Sequence, residues 1–165
     1  MNYKVVPNFL SKKEHEFIRD KVMYETPLYY QENVAKIGDT STFFFCEKLY
    51  CREIKKEIDP KHFKIIIPIL YRAGIHLPFR LQINCYVKQP KHIFTEPHVD
   101  DSRPHKVLLY AINTNNGFTV LDPKGKNVKI PSVANQAVFF DGTIEHQAVT
   151  QTDENVRYNI NINFQ

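Results

Sequence analysis

Three side chains in the second half of the chain have the types and spacing to bind a metal ion: His98, Asp100 and His146. In an extended chain, residues two apart point to the same side, so the imidazole of His98 and the carboxylate of Asp100 can face one ion. His146 follows a tight turn predicted at Asp141-Gly142 and can approach from a facing strand. Two histidines and one carboxylate on one face of an octahedron suit non-haem Fe(II), because three adjacent positions stay open.

Arg157 adds a second chemical capability to this set. It opens the last predicted strand, eleven positions after His146. Its planar guanidinium pairs bidentately with a carboxylate, which is what holding the distal end of a dicarboxylate requires. A His-x-Asp triplet alone is a weak signal, because a chain with seven histidines often contains one by chance. The four residues in this order predict a metal site with an adjoining anion site.

A group of short stretches in the same half of the chain shares one pattern. The stretches are Asn84-Cys85-Tyr86, Pro97-His98-Val99-Asp100, residues 106–113, Gly117-Phe118-Thr119, residues 135–140, His146 and Arg157-Tyr158-Asn159-Ile160. Each stretch is short, but the set is specific. Between residues 81 and 164 the chain resembles the catalytic core of the Fe(II)/2-oxoglutarate-dependent dioxygenase superfamily, and within it the prolyl-hydroxylase-like branch. Its compact length resembles the small microbial and phage-encoded members.

The resemblance implies an activity and a role for each site residue. The implied activity is hydroxylation of a C–H bond by dioxygen, with 2-oxoglutarate as co-substrate and release of succinate and CO2. His98, Asp100 and His146 would bind Fe(II), and Arg157 would hold the far carboxylate of 2-oxoglutarate. The resemblance favours an amino-acid or peptidyl substrate, such as a prolyl residue.

Two tyrosines are placed differently by the resemblance. Tyr86 matches a strand tyrosine whose hydroxyl binds the same carboxylate as the arginine, and the alternative for it is a core aromatic whose hydroxyl is bonded elsewhere. Tyr110 is expected not to touch the co-substrate, because the matching pocket tyrosine would align at Ala111. A shift of one residue along a strand turns a side chain to the opposite face.

The last predicted strand places a row of asparagines beside the arginine. Alternation puts Asn159, Asn161 and Asn163 on the same face as Arg157, so an inward-facing arginine implies an amide-rich pocket floor. Buried amides need hydrogen-bond partners. The row also resembles the Arg-x-Asn-x-Thr-x-Arg strand of nucleic-acid alkylation-repair dioxygenases. The final arginine is missing here, so nucleic-acid modification is an alternative and a nucleic-acid partner is not expected.

The elements that must position these residues are predicted to be mostly β with flanking α. A capping box at Ser11 and Glu14 begins a helix over 11–24, further helices are predicted over 47–57 and 63–71, and residues 29–46 suggest two strands around Gly38-Asp39. Strands are also predicted over 3–6, 80–87, 106–112, 119–121, 127–130, 136–140, 147–150 and 157–164. The resulting expectation is one domain over 1–165, in which residues 1–78 support a jelly-roll catalytic core over 79–165 and the N-terminal helices pack on one sheet.

Composition narrows the partners. The chain has 42% hydrophobic residues, 13% aromatic residues and a formal net charge of +4, which fits a packed core and an anionic small ligand. Three cysteines without paired spacing predict reduced thiols. Neither an export segment nor a membrane anchor is indicated, so we expect a cytoplasmic protein that acts on a small molecule or peptide.

Several alternatives remain open from the sequence. A zinc hydrolase could use the same three ligands, but it would give Arg157 no task and lacks an HExxH general base. A non-catalytic metal-binding jelly-roll module is a second alternative. The loops 88–97 and 101–105 carry charged residues that could meet a substrate or be solvated.

Overall fold

Two antiparallel sheets form the centre of the molecule. A computed structural model describes residues 2–34, 38–39 and 41–165. The strands are β1 Tyr3–Val6, β2 Tyr29–Gln31, β3 Phe44–Cys51, β4 Pro78–Val87, β5 Lys106–Ala111, β6 Asn115–Leu121, β7 Val128–Ser132, β8 Gln136–Asp141, β9 His146–Val149 and β10 Val156–Phe164. The large sheet has the order β1-β8-β5-β10-β4-β3-β2, and the small sheet has the order β7-β6-β9. The predicted jelly roll is confirmed, and β4 to β10 correspond to seven predicted strands.

Two helices cover the outer face of the large sheet. Helix α1 spans Lys12–Asp20 and continues as a π-helical turn, Lys21–Glu25, while a 3₁₀ turn, Pro60–His62, leads into α2, Phe63–Ala73. Ile18 of α1 and Ile66 of α2 are fully buried in one core with Ile83 of β4 and Ile160 of β10. Each such side chain stabilises the fold by about 1.5–3 kcal/mol. The prediction that the helices pack on one sheet is therefore confirmed. No helix in the described part of the chain is long and apolar enough to cross a membrane.

The start of α1 follows the predicted capping box. The backbone N–H of Ser11 donates to Glu14 Oε2 at 3.0 Å, and the backbone N–H of Glu14 donates to Ser11 Oγ at 3.3 Å. These bonds satisfy donors that the first turn of a helix leaves unpaired. The α-helical part ends at Asp20 rather than at the predicted residue 24, because the chain continues there with π-type hydrogen bonding.

The helix predicted over 47–57 is wrong. Residues up to Cys51 belong to β3, which pairs with both β2 and β4. Helix propensity is a weak preference, and here pairing with β4 up to Cys51 and burial of Leu49 and Cys51 override it. The two strands predicted within 29–46 exist as β2 and the beginning of β3. Of the turn between them, Gly38 and Asp39 are described, whereas residues 35–37 and 40 lie outside the described residues.

The inner face of the large sheet is unusually polar. Alternation along β4 sends Leu81 and Ile83 to the helices and leaves Gln82 and Asn84 facing the small sheet. Strand β10 pairs with β4 and repeats the arrangement, because Asn159 and Asn161 lie opposite Asn84 and Gln82. Buried polar side chains are normally hydrogen-bonded, so this face must provide partners for its own amides.

Candidate active site

The loop between β4 and β5 is fixed to β9 at His98. The backbone N–H of His98 donates to the carbonyl of His146 at 3.0 Å, and the reverse bond measures 2.9 Å. This isolated bridge brings the two imidazoles together, with ring centroids 4.6 Å apart. The backbone of this irregular loop is therefore held as firmly as a paired strand at the point where His98 and His146 meet.

His98, Asp100 and His146 form one cluster. Their candidate ligand atoms lie within 4.8 Å of one another. His98 Nε2 lies 3.8 Å from Asp100 Oδ1, and His146 Nε2 lies 4.0 Å from Asp100 Oδ2. The spacing leaves room for an ion between the three groups.

The imidazoles are oriented as metal-binding histidines are. Nδ1 of His98 lies 3.2 Å from the carbonyl of Glu96, and Nδ1 of His146 lies 3.2 Å from the carbonyl of Ile144. A carbonyl only accepts, so each Nδ1 carries a proton, and in the neutral imidazole Nε2 then has the lone pair that binds a metal. Burial and the neighbouring His146 lower the pKa of His98, which favours its neutral, metal-binding form.

Asp100 is held as a buried carboxylate. Its side chain is 4% exposed, and burial alone would raise its pKa. His146, Arg80 and the amides of Asn163 and Asn161 outweigh that effect and hold the pKa of Asp100 well below its usual range. The carboxylate is therefore ionised at neutral pH, as a metal ligand must be.

Arg157 lies at the other end of the same space. It is 2% exposed, and its Nε and Nη2 donate to Ser132 Oγ at 2.8 Å and to Thr119 Oγ1 at 3.0 Å. Its guanidinium lies over the ring of Tyr86, 5.3 Å from the centroid, and burial lowers its pKa. Among the described residues no carboxylate pairs with it. A buried cation without a counterion is costly, so this position favours an anionic ligand.

A cavity connects the two ends. His98, Asp100, His146 and Arg157 all line it. Apolar side chains from both sheets complete the wall; they include Val107, Leu109, Phe140 and Ala148. A ligand in this cavity can touch the metal cluster and the guanidinium together.

Comparison with known proteins gives a likeness of fold. No protein-family model matches the chain, and no curated protein matches it. A prolyl hydroxylase from Trichoplax adhaerens, solved with a hypoxia-inducible-factor peptide, is 14% identical with a TM-score of 0.71, over 98% of this chain and 82% of that one. A 2OG-Fe(II) oxygenase family protein from Burkholderia pseudomallei is 14% identical with a TM-score of 0.70, over 99% and 84%. This chain has the 2OG-Fe(II) oxygenase fold.

Proteins of this fold perform more than one reaction. The α-ketoglutarate-dependent epimerase SnoN from nogalamycin biosynthesis is 14% identical to this chain, with a TM-score of 0.66, over 99% of this chain and 77% of SnoN. The cavity of this oxygenase fold must therefore be interpreted from its own residues.

Of the two tyrosines, Tyr86 lines the cavity and Tyr110 does not. Tyr86 stacks on Phe44 with centroids 5.7 Å apart, and burial raises its pKa to about 12, so it is a neutral phenol that can donate a hydrogen bond. Tyr110 lies in the core on the helix side, where its hydroxyl bonds His15 at 2.6 Å and Asn135 at 3.0 Å. Tyr110 thus lies outside the cavity, as its expected position implies, and the roles of both tyrosines toward the co-substrate stay predictions.

Sequence reasoning assigned a role to Tyr86 of β4 but missed the contribution of Arg80, Gln82 and Asn84 on the same strand. Arg80 Nη2 donates to Gln82 Oε1 at 3.1 Å, Gln82 Nε2 donates to Asn84 Oδ1 at 2.6 Å, and Asn84 Nδ2 donates to Asn159 Oδ1 at 3.0 Å. Arg80 also donates to Asp100 Oδ1 at 3.3 Å. The signal was present as a polar residue at every second position of the predicted strand over 80–87, the same pattern that singled out the last strand.

Some charged residues of the loops 88–97 and 101–105 have partners within the protein. Arg103 pairs with Asp101 and with Glu53, and its Nε lies 2.8 Å from Asp101 Oδ1. Lys88 Nζ donates to the carbonyl of Asp153 at 3.1 Å. Contact of the loops 88–97 and 101–105 with a substrate stays a prediction.

Proposed function

We propose that this chain is an Fe(II)- and 2-oxoglutarate-dependent dioxygenase. The observation that carries the proposal is one cavity that joins a His-Asp-His cluster to a buried arginine without a carboxylate partner among the described residues. A zinc hydrolase would explain the cluster but not the arginine, and a non-catalytic module would need neither the open space nor the anion site.

The donor set fits Fe(II) and 2-oxoglutarate. His98, Asp100 and His146 would hold the ion through two imidazole Nε2 atoms and one ionised carboxylate. When bound, the iron and 2-oxoglutarate supply the oxidation, in which dioxygen gives one oxygen atom to succinate and the other to a substrate C–H bond, with release of CO2.

The protein's own task is to position and shield the co-substrate. Arg157 would pair with the far carboxylate, while Ser132 and Thr119 fix the plane of its guanidinium. Tyr86 would donate its hydroxyl to the same carboxylate. The apolar wall would exclude water from the carbon chain of 2-oxoglutarate. This exclusion would strengthen the ion pair between Arg157 and the far carboxylate.

We further propose hydroxylation of an amino-acid or peptidyl substrate, with a prolyl residue as one example. Supporting this are the peptide seen with one similar prolyl hydroxylase and the exposure of His98, whose side chain is 17% exposed whereas Arg157 is 2% exposed. Nucleic-acid modification is less well supported, because Asn163 occupies the place of the final arginine in the repair-enzyme pattern and is turned toward Asp100.

The test is a screen of free amino acids, proline-containing peptides and nucleotides for Fe(II)-dependent formation of succinate and hydroxylated product. We expect an amino acid or peptide to stimulate wild-type turnover, and Asp100→Ala to reduce turnover at least about 100-fold because a metal ligand is lost. Asp20→Ala on the exposed side of α1 is the matched control. Turnover that survives Asp100→Ala, or that needs zinc and no 2-oxoglutarate, would refute the assignment.

A further inference from the structure

Two amides of the asparagine row converge on one oxygen of Asp100. Nδ2 of Asn161 and Nδ2 of Asn163 donate to Asp100 Oδ2 at 3.0 Å and 2.9 Å. A carboxylate oxygen has two lone pairs, so the two amides occupy both lone pairs of Oδ2. Oδ1 accepts only the longer bond of 3.3 Å from Arg80 among the hydrogen bonds of the described residues. Oδ1 therefore keeps a lone pair for another ligand.

The amides hold this orientation at a cost. Their own oxygens, Asn161 Oδ1 and Asn163 Oδ1, are buried and have no hydrogen-bond partner among the described residues. A buried acceptor left unsatisfied costs about 1–3 kcal/mol. Turning an amide by half a rotation would aim its oxygen at an ionised carboxylate, which can only accept. The charge of Asp100 therefore fixes both amides, and they in turn fix Asp100.

We propose that Asn161 and Asn163 are positioning residues that restrict Asp100 to binding the metal through Oδ1 alone. This inference rests on the proposed metal site. A carboxylate bound through both oxygens takes two of six octahedral positions, whereas one bound through a single oxygen takes one. With two histidines, the single-oxygen arrangement leaves the three positions that a bidentate 2-oxo acid and dioxygen need. Asn161 and Asn163 thus preserve the open positions on the metal.

The test measures binding rather than turnover. Mn(II) is titrated into the metal-free protein by calorimetry, and 2-oxoglutarate is then titrated into the Mn(II)-saturated protein. The variants are Asn161→Leu and Asn163→Leu, which keep the number and branching of the side chain's non-hydrogen atoms and remove the donor. We expect each to weaken 2-oxoglutarate binding about 10–100-fold, in the range of outer-shell partners of metal ligands. The electron paramagnetic resonance spectrum of bound Mn(II) should also change, because Asp100 can then engage the ion through both oxygens.

The control is Asn113→Leu, which breaks hydrogen bonds of similar length to Val156 and Tyr158 outside the cavity. It should lower stability while leaving both 2-oxoglutarate affinity and the Mn(II) spectrum as in the wild type. Asn161 lines the cavity, so Asn161→Leu decides the question if the variant at the fully buried Asn163 does not fold. If Asn161→Leu has the wild-type 2-oxoglutarate affinity and Mn(II) spectrum, the inference about the asparagines is wrong and the proposed function is unaffected. Failure of the wild type to bind Mn(II) or 2-oxoglutarate would instead overturn the proposed function.

Discussion

A buried guanidinium is the residue on which the interpretation of the cavity depends. Arg157 has hydrogen-bond partners in two hydroxyls and the carbonyl of Val149, but these are neutral and do not balance its charge. Evolution could have placed a neutral residue there at lower desolvation cost, since an uncompensated buried charge is strongly unfavourable. The charge is useful only when an anion completes the pair, and the fold provides the space for one.

Substitutions at Arg157 should separate the contribution of its charge to 2-oxoglutarate binding from that of its planar geometry. Arg157→Lys keeps the charge but loses the planar fork, and Arg157→Ala loses both. We expect 2-oxoglutarate affinity to fall in the order wild type, lysine variant, alanine variant, with a loss of about 100-fold or more for alanine. Calorimetry on Mn(II)-saturated protein measures this, with Arg19→Ala on the exposed side of α1 as control. Equal affinity of the alanine variant and the wild type would show that the anion binds elsewhere.

At the scale of elements, β6 and β9 determine how closely the small sheet approaches Arg157. A Cβ atom added at Gly117 of β6 would lie 2.9 Å from the carbonyl oxygen of Val149 and 3.0 Å from Arg157 Cδ. Real Cβ atoms essentially never approach so closely, so the strand or the arginine would have to move. Glycine at this position therefore belongs to the proposed anion site although it offers no functional group.

Gly117→Ala should weaken 2-oxoglutarate binding by displacing Arg157, with an expected loss of about 10-fold since a shift below 1 Å is enough to disturb a bidentate pair. The control is Gly74→Ala at the end of α2, where the backbone φ of 67° strains alanine but open space surrounds the position. It should cost about 1 kcal/mol of stability and leave binding unchanged. If both variants bind 2-oxoglutarate equally well, the close approach of β6 to Arg157 has no role in binding.

Much of this arrangement follows from local sequence patterns, and the exceptions have physical causes. The capping box at Ser11, the strands β4 to β10 and the inward face of Arg157 follow from hydrogen-bonding chemistry and a period of two. Strand β3 does not follow from local patterns, because its strand conformation depends on pairing with β4, about 30 residues later in the chain. The row on β4 was visible as alternation, but its bonds to β10 depend on the pairing register, which a single sequence does not specify.

For the whole molecule, the two faces of the large sheet have opposite tasks. The helix side supplies the apolar core, whereas the inner face carries amides and two arginines and faces the metal-binding candidates of the β4–β5 loop and of β9 across the cavity. We expect the metal-free protein to be sensitive to acid, because buried histidines resist protonation in the folded state. Burial lowers the pKa of His15, His62 and His98 below the ordinary value of 6.5.

The sign of the pH effect follows from linkage. The unfolded chain takes up these protons near pH 6.5, while the folded chain resists until a lower pH. The free energy of unfolding of the metal-free protein should therefore fall as the pH drops below about 6.5, by at most about 1.4 kcal/mol per pH unit for each histidine. Urea unfolding at pH 7.5, 6.5 and 5.5 (about one-unit steps around that value) measures this. His15→Gln should make the decline shallower, and a pH-independent unfolding free energy over this range would contradict the expectation.

The central claim is that metal and arginine bind one 2-oxoglutarate molecule together. Calorimetric titration of 2-oxoglutarate into wild-type protein, first with a chelator and then with saturating Mn(II), tests it most directly. The cavity predicts one site per chain whose affinity rises at least about 10-fold when the metal is present, because the metal and Arg157 then hold opposite ends of one ligand. Binding that is independent of Mn(II), or no binding in its presence, would contradict the claim.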